Sequence, residues 1–266
     1  MVKLIYIGGY GHSGSTLLEY LMTGAPGLVA CGEVAEARRT DALSRTCTCG
    51  RPVPACAIWS PIVGDDLRAK NCDHAALDAK LLRHMAGRYS AMVDSTKTAW
   101  RASAVPFRLR RELGAGVSFV HIVRDPRAVC WSLLKRARRF RGRPNERLLA
   151  IETLVGWYFA NISCELFARR YPHQYVRLRY EDLVSGPVET MTALMEKVLP
   201  SSGWNFCSIG AQDNRHQLYA NRMRTEALTL ETIKLDDAWQ HEMPSRVRAF
   251  VEALSTPLRA RYGYDA

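Results

Sequence analysis

Ile5-Tyr-Ile-Gly-Gly-Tyr-Gly-His-Ser-Gly-Ser-Thr-Leu-Leu18 is the stretch that decides the fold. A short apolar run leads into closely spaced glycines, then into hydroxyl residues and leucines. That order reads as a buried strand, a tight turn and the first turn of a helix. Gly9-x4-Gly14 followed by Ser15-Thr16 is nearly the phosphate loop G-x-x-x-x-G-K-[ST], with Ser15 where the lysine belongs. The backbone N–H groups of such a loop, with a helix N-terminus behind them, form an anion cradle. A nucleoside triphosphatase needs the lysine on its β- and γ-phosphates. A loop that keeps the cradle and lacks the lysine fits a phosphate that is held but not transferred. The plainer alternative is a strand-to-helix turn with a serine cap.

Outward from this loop, 266 residues with 47% hydrophobic and 24% charged side chains make an ordinary globular composition, long enough to bury a substantial core. The net charge of +11 favours anionic partners, although charge by itself can serve solubility alone. Met1-Val-Lys-Leu-Ile-Tyr-Ile runs straight into the glycines without the pattern of a secretory signal, and no apolar run approaches the roughly 18 residues of a membrane span. The chain is therefore expected to be cytoplasmic, with its eight cysteines mostly reduced.

Strand and helix signals alternate along the chain. Residues 3–24 read as strand, loop and helix, and residues 25–75 as a less regular stretch punctuated by proline and glycine. Helices are expected over 75–90, 105–113, 145–171, 187–199 and 244–262, and strands at 91–93, 116–123 and 175–179. Residues 200–235 are the least legible. The alternation predicts a three-layer α/β domain of the phosphate-loop type over 1–266, with a central parallel sheet of roughly four or five strands flanked by helices. Residues 25–75 would be an insertion on the acceptor side that carries cysteines.

Val123-Arg-Asp-Pro-Arg127 supplies the second motif. Arg124 follows a strongly β-branched run, and Pro126 suits the first position of a helix. Ligands of open α/β sheets bind at that carboxyl edge, and a guanidinium there suits bidentate phosphate binding. Ser132, about two helical turns further on, could reach the same anion. The alternative is an Arg–Asp surface pair that stabilises little. Glu33 in Cys31-Gly-Glu33 and Lys97 in Asp94-Ser-Thr-Lys97 could each be simple surface charge, and spacing alone makes neither catalytic.

Together, "YGHSGSTLL" and "FVHIVRDPRAVCWSLLKR" resemble the two nucleotide signatures of sulfotransferases that use 3′-phosphoadenosine 5′-phosphosulfate. "RYEDLVSGP" and "LRARYGYDA" fit the same family, and the likeness spans nearly the whole chain. It is similar in flavour to bacterial small-molecule and carbohydrate sulfotransferases, with "CGE" resembling a catalytic-glutamate segment of tyrosylprotein sulfotransferases. The resemblance implies sulfuryl transfer to an acceptor hydroxyl, releasing adenosine 3′,5′-bisphosphate, with no metal required.

It also implies roles. Gly11, His12, Ser13, Gly14, Ser15 and Thr16 would hold the 5′-phosphosulfate. Arg124 and Ser132, with Arg136, would hold the 3′-phosphate. Glu33 would be the general base and Lys97 would stabilise charge at the sulfuryl group and its leaving oxygen. Tyr180, the stretch Asn221-Arg222-Met-Arg224 and Lys234 would contact the nucleotide. One departure stands out: His12 occupies a position that is usually lysine or arginine. An imidazole can donate to a bridging oxygen and carry charge near neutral pH, so His12 is expected to assist the leaving group; the alternative is that it merely packs. Two other functions remain to be separated from this one: an atypical kinase, and a nucleotide- or polyanion-binding module without turnover. Nothing in the chain resembles the acidic magnesium site of kinases.

Two features lie outside these motifs. Cys47-x-Cys49-Gly-x5-Cys56-x2-Trp59 could hold zinc with a fourth ligand from Cys72, Cys31 or His74, could form a disulfide, or could stay reduced as a lid or structural knuckle. The basic run 135–144 is expected to be a solvated loop over the donor or an anionic acceptor, not a nucleic-acid surface. The acceptor is expected to be a small molecule, carbohydrate or lipid sooner than a protein. The oligomeric state is left open.

Overall fold

The structure is a computed structural model that describes residues 2–39, 41–62, 73–142, 144–200, 202–210, 214–218 and 229–264, with the side chains of 101 and 141 set aside. Its centre is a five-stranded sheet: β1 (Lys3–Gly8), β2 (Leu28–Ala30), β3 (Ala91–Asp94), β4 (Val117–Val123) and β5 (Tyr175–Arg179). Their order is β2-β3-β1-β4-β5, and every pairing is parallel. Four of these strands lie where the sequence places them. The three-residue β2 is the fifth, hidden in the irregular stretch after the first helix.

The helices are α1 (Ser15–Met22), α2 (His74–Met85), α3 (Val105–Leu113), α4 (Pro126–Arg141), α5 (Glu146–Arg170), α6 (Tyr180–Ser185), α7 (Pro187–Val198), α8 (Trp239–Glu242) and α9 (Ser245–Arg261). Alternate side chains of one strand leave opposite faces of the sheet. Leu4 and Tyr6 of β1 join Met92 and Phe119 in a core closed by α2, α3 and Phe167 of α5. Ile5 and Ile7 join Val93, Val120 and Ile122 in a core closed by α1, α6 and α7. With helices on both faces, all seven residues of β4 are buried, which is why it reads as an unbroken apolar run.

Two expectations change. Lys135 to Arg141 continue α4 and form no loop, because the helix that opens at Pro126 keeps packing Trp131 and Leu134 against α5 and α9. The Arg–Asp pair beside Arg124 is not on the surface. Arg127 and Asp125 are both buried, with Nη2 to Oδ2 at 2.6 Å. Arg127 also donates to Glu252 and to the Tyr264 carbonyl and lies over the Trp239 ring. Tyr264 in turn donates to Glu181 of α6 at 2.6 Å. The two later motifs of the sequence thus meet behind the site, one bracing the other.

Candidate functional site

The five strands run in one direction, so the segments after them emerge along one edge of the sheet. The chain leaves β1 toward β2 on one side and leaves β4 toward β5 on the other. The crevice between β1 and β4 is therefore the switch point where an α/β sheet takes its ligand. A cavity of about 660 Å³ opens there. Its walls include Gly11, His12, Gly14, Ser15 and Thr16 after β1, Glu33 after β2, Lys97 after β3, Arg124 after β4 and Tyr180 after β5. Ser132, Arg136 and Lys234 line it too. Ser13, between His12 and Gly14, is 1% exposed, and its hydroxyl has no hydrogen-bond partner among the described residues. Arg222 and its neighbours Asn221 and Arg224 lie outside the described residues.

The loop geometry explains its glycines at two positions. Gly9 has φ +123°, and a Cβ there would come within 2.3 Å of the Ile122 carbonyl oxygen. Gly14 caps α1 at φ +91°, and a Cβ would meet the Tyr180 ring at 2.5 Å. The first N–H groups of a helix have no intrahelical acceptor, so the opening turn of α1 offers its donors and dipole to the cavity. His12 and Lys97 both hold left-handed backbone, φ 64° and 75°. Such conformations cost energy and cluster where function requires them.

Arg124 is 5% exposed and donates through Nη1 to the His12 carbonyl at 3.0 Å. Its Nη2 reaches the Asp236 carbonyl at 2.9 Å and Oδ2 at 3.1 Å, while Nε has no partner among the described residues. Its guanidinium lies 4.3 Å from the centre of the Tyr180 ring, so Tyr180 both lines the cavity and supports the cation. Ser132 and Arg136 follow at i and i+4 on one face of α4.

His12 Nδ1 lies 2.8 Å from Ser132 Oγ. Burial, then the positive charges of Arg136, Lys97 and Arg124, lower its pKa to about 4. The imidazole is neutral at pH 7, so the charge expected of His12 is not available among these neighbours; its hydrogen-bonding capacity is.

Across the cavity, Lys97 Nζ donates to Glu33 Oε1 at 2.5 Å. Two buried carboxylates fix this pair. Glu19, 0% exposed within α1, accepts from the Gly32 N–H at 2.6 Å and from the Ser95 hydroxyl at 2.8 Å. Asp94, also fully buried, accepts from Val34 N–H at 3.1 Å and Thr96 N–H at 2.8 Å. Its other oxygen meets His74 Nε2 at 2.7 Å. Each carboxylate therefore ties the Glu33 turn to the Lys97 turn. Sequence reasoning missed Glu19 and Asp236. A charge inside Leu17-Leu-Glu-Tyr-Leu-Met22 is the signal that points to the first, since that helix is otherwise apolar and buried. No local signal marks Asp236.

The arrangement can hold two anionic groups, one on the glycine loop and one at Arg124, with a carboxylate–ammonium pair facing the first. The Ser13 hydroxyl and Arg124 Nε, without partners among the described residues, are donors of the kind that phosphate oxygens satisfy. Fold and cavity together give a parallel α/β protein with a cleft at its switch point, lined by a glycine-rich turn, a buried arginine and a carboxylate–ammonium pair.

Residues 116–198 match the model of the sulfotransferase family. The sulfotransferase domain of the Synechococcus PCC 7002 olefin synthase superimposes with a TM-score of 0.60 at 18% identity, covering 100% of this chain and 96% of that one. The sulfotransferase domain from the curacin biosynthetic pathway gives 0.54 at 18% identity, over 96% and 98% of the two chains. Mouse sulfotransferase SULT7A1, solved in complex with PAP, gives 0.56 at 11% identity, over 97% and 85%. No curated protein matches the chain. Part of the chain, residues 116–198, thus matches the sulfotransferase model, and the whole chain shares the fold of these solved structures.

Proposed function

We propose that this protein transfers a sulfuryl group from 3′-phosphoadenosine 5′-phosphosulfate to an acceptor hydroxyl, leaving adenosine 3′,5′-bisphosphate. The observation that carries the proposal is the single cavity that joins the glycine loop and Arg124 to the Glu33–Lys97 pair. Residues 13–16 would hold the 5′ end of the donor, and Arg124 with Ser132 and Arg136 the 3′-phosphate. The donor supplies an activated sulfuryl group, and the chain supplies position and charge. Glu33, paired with Lys97, accepts the acceptor proton while the new oxygen–sulfur bond forms and the bond from sulfur to the bridging phosphate oxygen breaks. Lys97 and the hydroxyls of Ser15 and Thr16 stabilise charge on the departing oxygen, and His12 contributes a hydrogen bond. The acceptor is read as a small molecule, carbohydrate or lipid sooner than a protein.

Calorimetry with adenosine 3′,5′-bisphosphate and a labelled-donor screen of hydroxyl acceptors test this. Bisphosphate binding with transfer of label to an acceptor is expected. A larger rise in melting temperature with ATP and magnesium than with the bisphosphate would make the protein a kinase. Bisphosphate binding without donor consumption by any acceptor would make it a binding module.

A further inference from the structure

Away from the donor cavity, two segments far apart in the chain, 47–56 and 214–218, bring soft ligand atoms to one point. Cys47, Cys49, Cys56 and His216 place their ligand atoms within 4.8 Å of one another. Cys56 Sγ lies 3.6 Å from Cys47 Sγ and 3.8 Å from Cys49 Sγ. His216 Nδ1 lies 3.2 Å from Cys56 Sγ and 3.9 Å from Cys47 Sγ. Three zinc–sulfur bonds of about 2.3 Å and one zinc–nitrogen bond of about 2.0 Å, set tetrahedrally, require sulfurs about 3.8 Å apart and sulfur–nitrogen distances of about 3.5 Å. The observed separations straddle those values. A disulfide needs about 2.05 Å, and all three cysteines are free.

The backbone is shaped for convergence. Gly50, at φ +82°, donates its N–H to the Cys47 carbonyl at 2.9 Å, closing a tight turn that points Cys47 and Cys49 the same way. Backbone N–H groups of Ile58 and Trp59 face the Cys56 sulfur, as donors to a thiolate do. His216 is held independently. Its N–H donates to the Ala30 carbonyl at 2.8 Å, and its carbonyl accepts from Trp59 Nε1 at 2.8 Å. Thr48 Oγ1 donates to the Arg215 carbonyl and accepts from the Gln217 N–H. Cysteines that merely filled a core would be interleaved with carbon; here the polarizable atoms face each other.

We propose that Cys47, Cys49, Cys56 and His216 form a structural zinc site. Thiolates with one imidazole select zinc among the common divalent ions, and four protein ligands leave no open position for catalysis. The fourth ligand is none of those the sequence offered. Cys31 sits at the end of β2 outside the cluster, His74 pairs with Asp78 and Asp94, and Cys72 lies outside the described residues. The metal would fasten residues 214–216 along the free edge of β2, where Ala30 N–H donates to the Asn214 carbonyl at 2.8 Å. Ala30 is three residues from Glu33, so the fastening reaches the chain that carries the carboxylate.

The test is metal content of the full chain, purified without a histidine tag. Atomic emission is expected to find about one zinc per chain, released as a mercurial titrates the thiols. Exchange for cobalt(II) should give the intense visible bands of a tetrahedral ion and thiolate-to-cobalt charge transfer in the near ultraviolet. Cys49→Ser/Cys56→Ser should lose the metal, whereas His216→Cys should keep it. Should the serine variant fail to fold, mercurial release from the wild type decides the matter. The proposal is overturned by wild-type protein that, refolded with excess zinc and desalted, holds no metal. It is equally overturned by zinc retained in a folded Cys47→Ser/Cys56→Ser variant, by a cobalt form without thiolate charge transfer, or by a mapped Cys47–Cys56 disulfide in the native protein.

Discussion

Residues 9–16 and Arg124 follow directly from β1 and β4, two adjacent central strands held by five register pairs from Leu4↔Val117 to Gly8↔His121. Glu33 follows a three-residue edge strand and is placed by side-chain latches from Glu19 and Asp94. The two halves of the cavity thus differ in what holds them. One is set by main-chain geometry and by glycines whose replacement would collide with neighbours. The other is set by two buried carboxylates, Glu19 and Asp94, through the hydrogen bonds they accept. On the proposed function, anion binding would rest on the glycine turn and on Arg124 at a strand end, and proton transfer on side chains that can be changed one at a time.

The sharpest way to break this division is Glu33→Gln, which keeps the shape and removes the base. Turnover should fall by roughly 10²- to 10⁴-fold with the bisphosphate affinity unchanged. Steady-state kinetics beside calorimetry reads both, and full activity would end the assignment of Glu33. Arg124→Ala addresses the opposite half. It removes a charge-assisted fork, so affinity for the bisphosphate should fall about 100-fold. An unaltered dissociation constant would show that the guanidinium serves only Asp236 and Tyr180. Gly14→Ala asks whether the loop is as unforgiving as its geometry. Left-handed backbone and the Tyr180 ring should cost about 1–3 kcal/mol of stability, read by urea unfolding, together with a loss of bisphosphate binding. A variant as stable as the wild type would place the constraint elsewhere.

The smallest effect concerns the latch itself. Burial opposes a charge on His74, but Asp78 and Asp94 outweigh it and raise its pKa to about 10 from 6.5. Between those values the native protein keeps a proton that the unfolded chain has released, so stability declines as pH rises through that window. The melting temperature should fall by a few degrees from pH 7 to pH 9.5, and by less in His74→Gln. Equal declines in the two proteins would remove His74 from the account.

The sequence made the backbone-built half legible because its signals are local. A β-branched run, glycines at fixed spacing and a proline after Arg-Asp each report on their own neighbourhood, and strand ends share an edge once the sheet is parallel. The rest depends on partners far off in the chain. Glu19 acts through Gly32 and Ser95, Arg124 meets Asp236 across 112 residues, and Cys56 meets His216 across 160. No periodicity encodes such meetings. The basic run 135–144 misled for a related reason: its charge reads as loop, while Trp131 and Leu134 pack the helix that carries residues 135–141. The shift of His12 to about 4 was equally out of sight, since it arises from burial and from cations contributed by three other elements.

The pairing of Gly8 with His121 has a metrical consequence. A slip of two residues between these strands would preserve which side chains face inward, yet would slide the glycine turn past Arg124 by about 6.6 Å. On the proposed function, the ladder between β1 and β4 would be the ruler for the span of a bisphosphorylated nucleoside, and a ligand with a longer or shorter reach would find only one of its ends met.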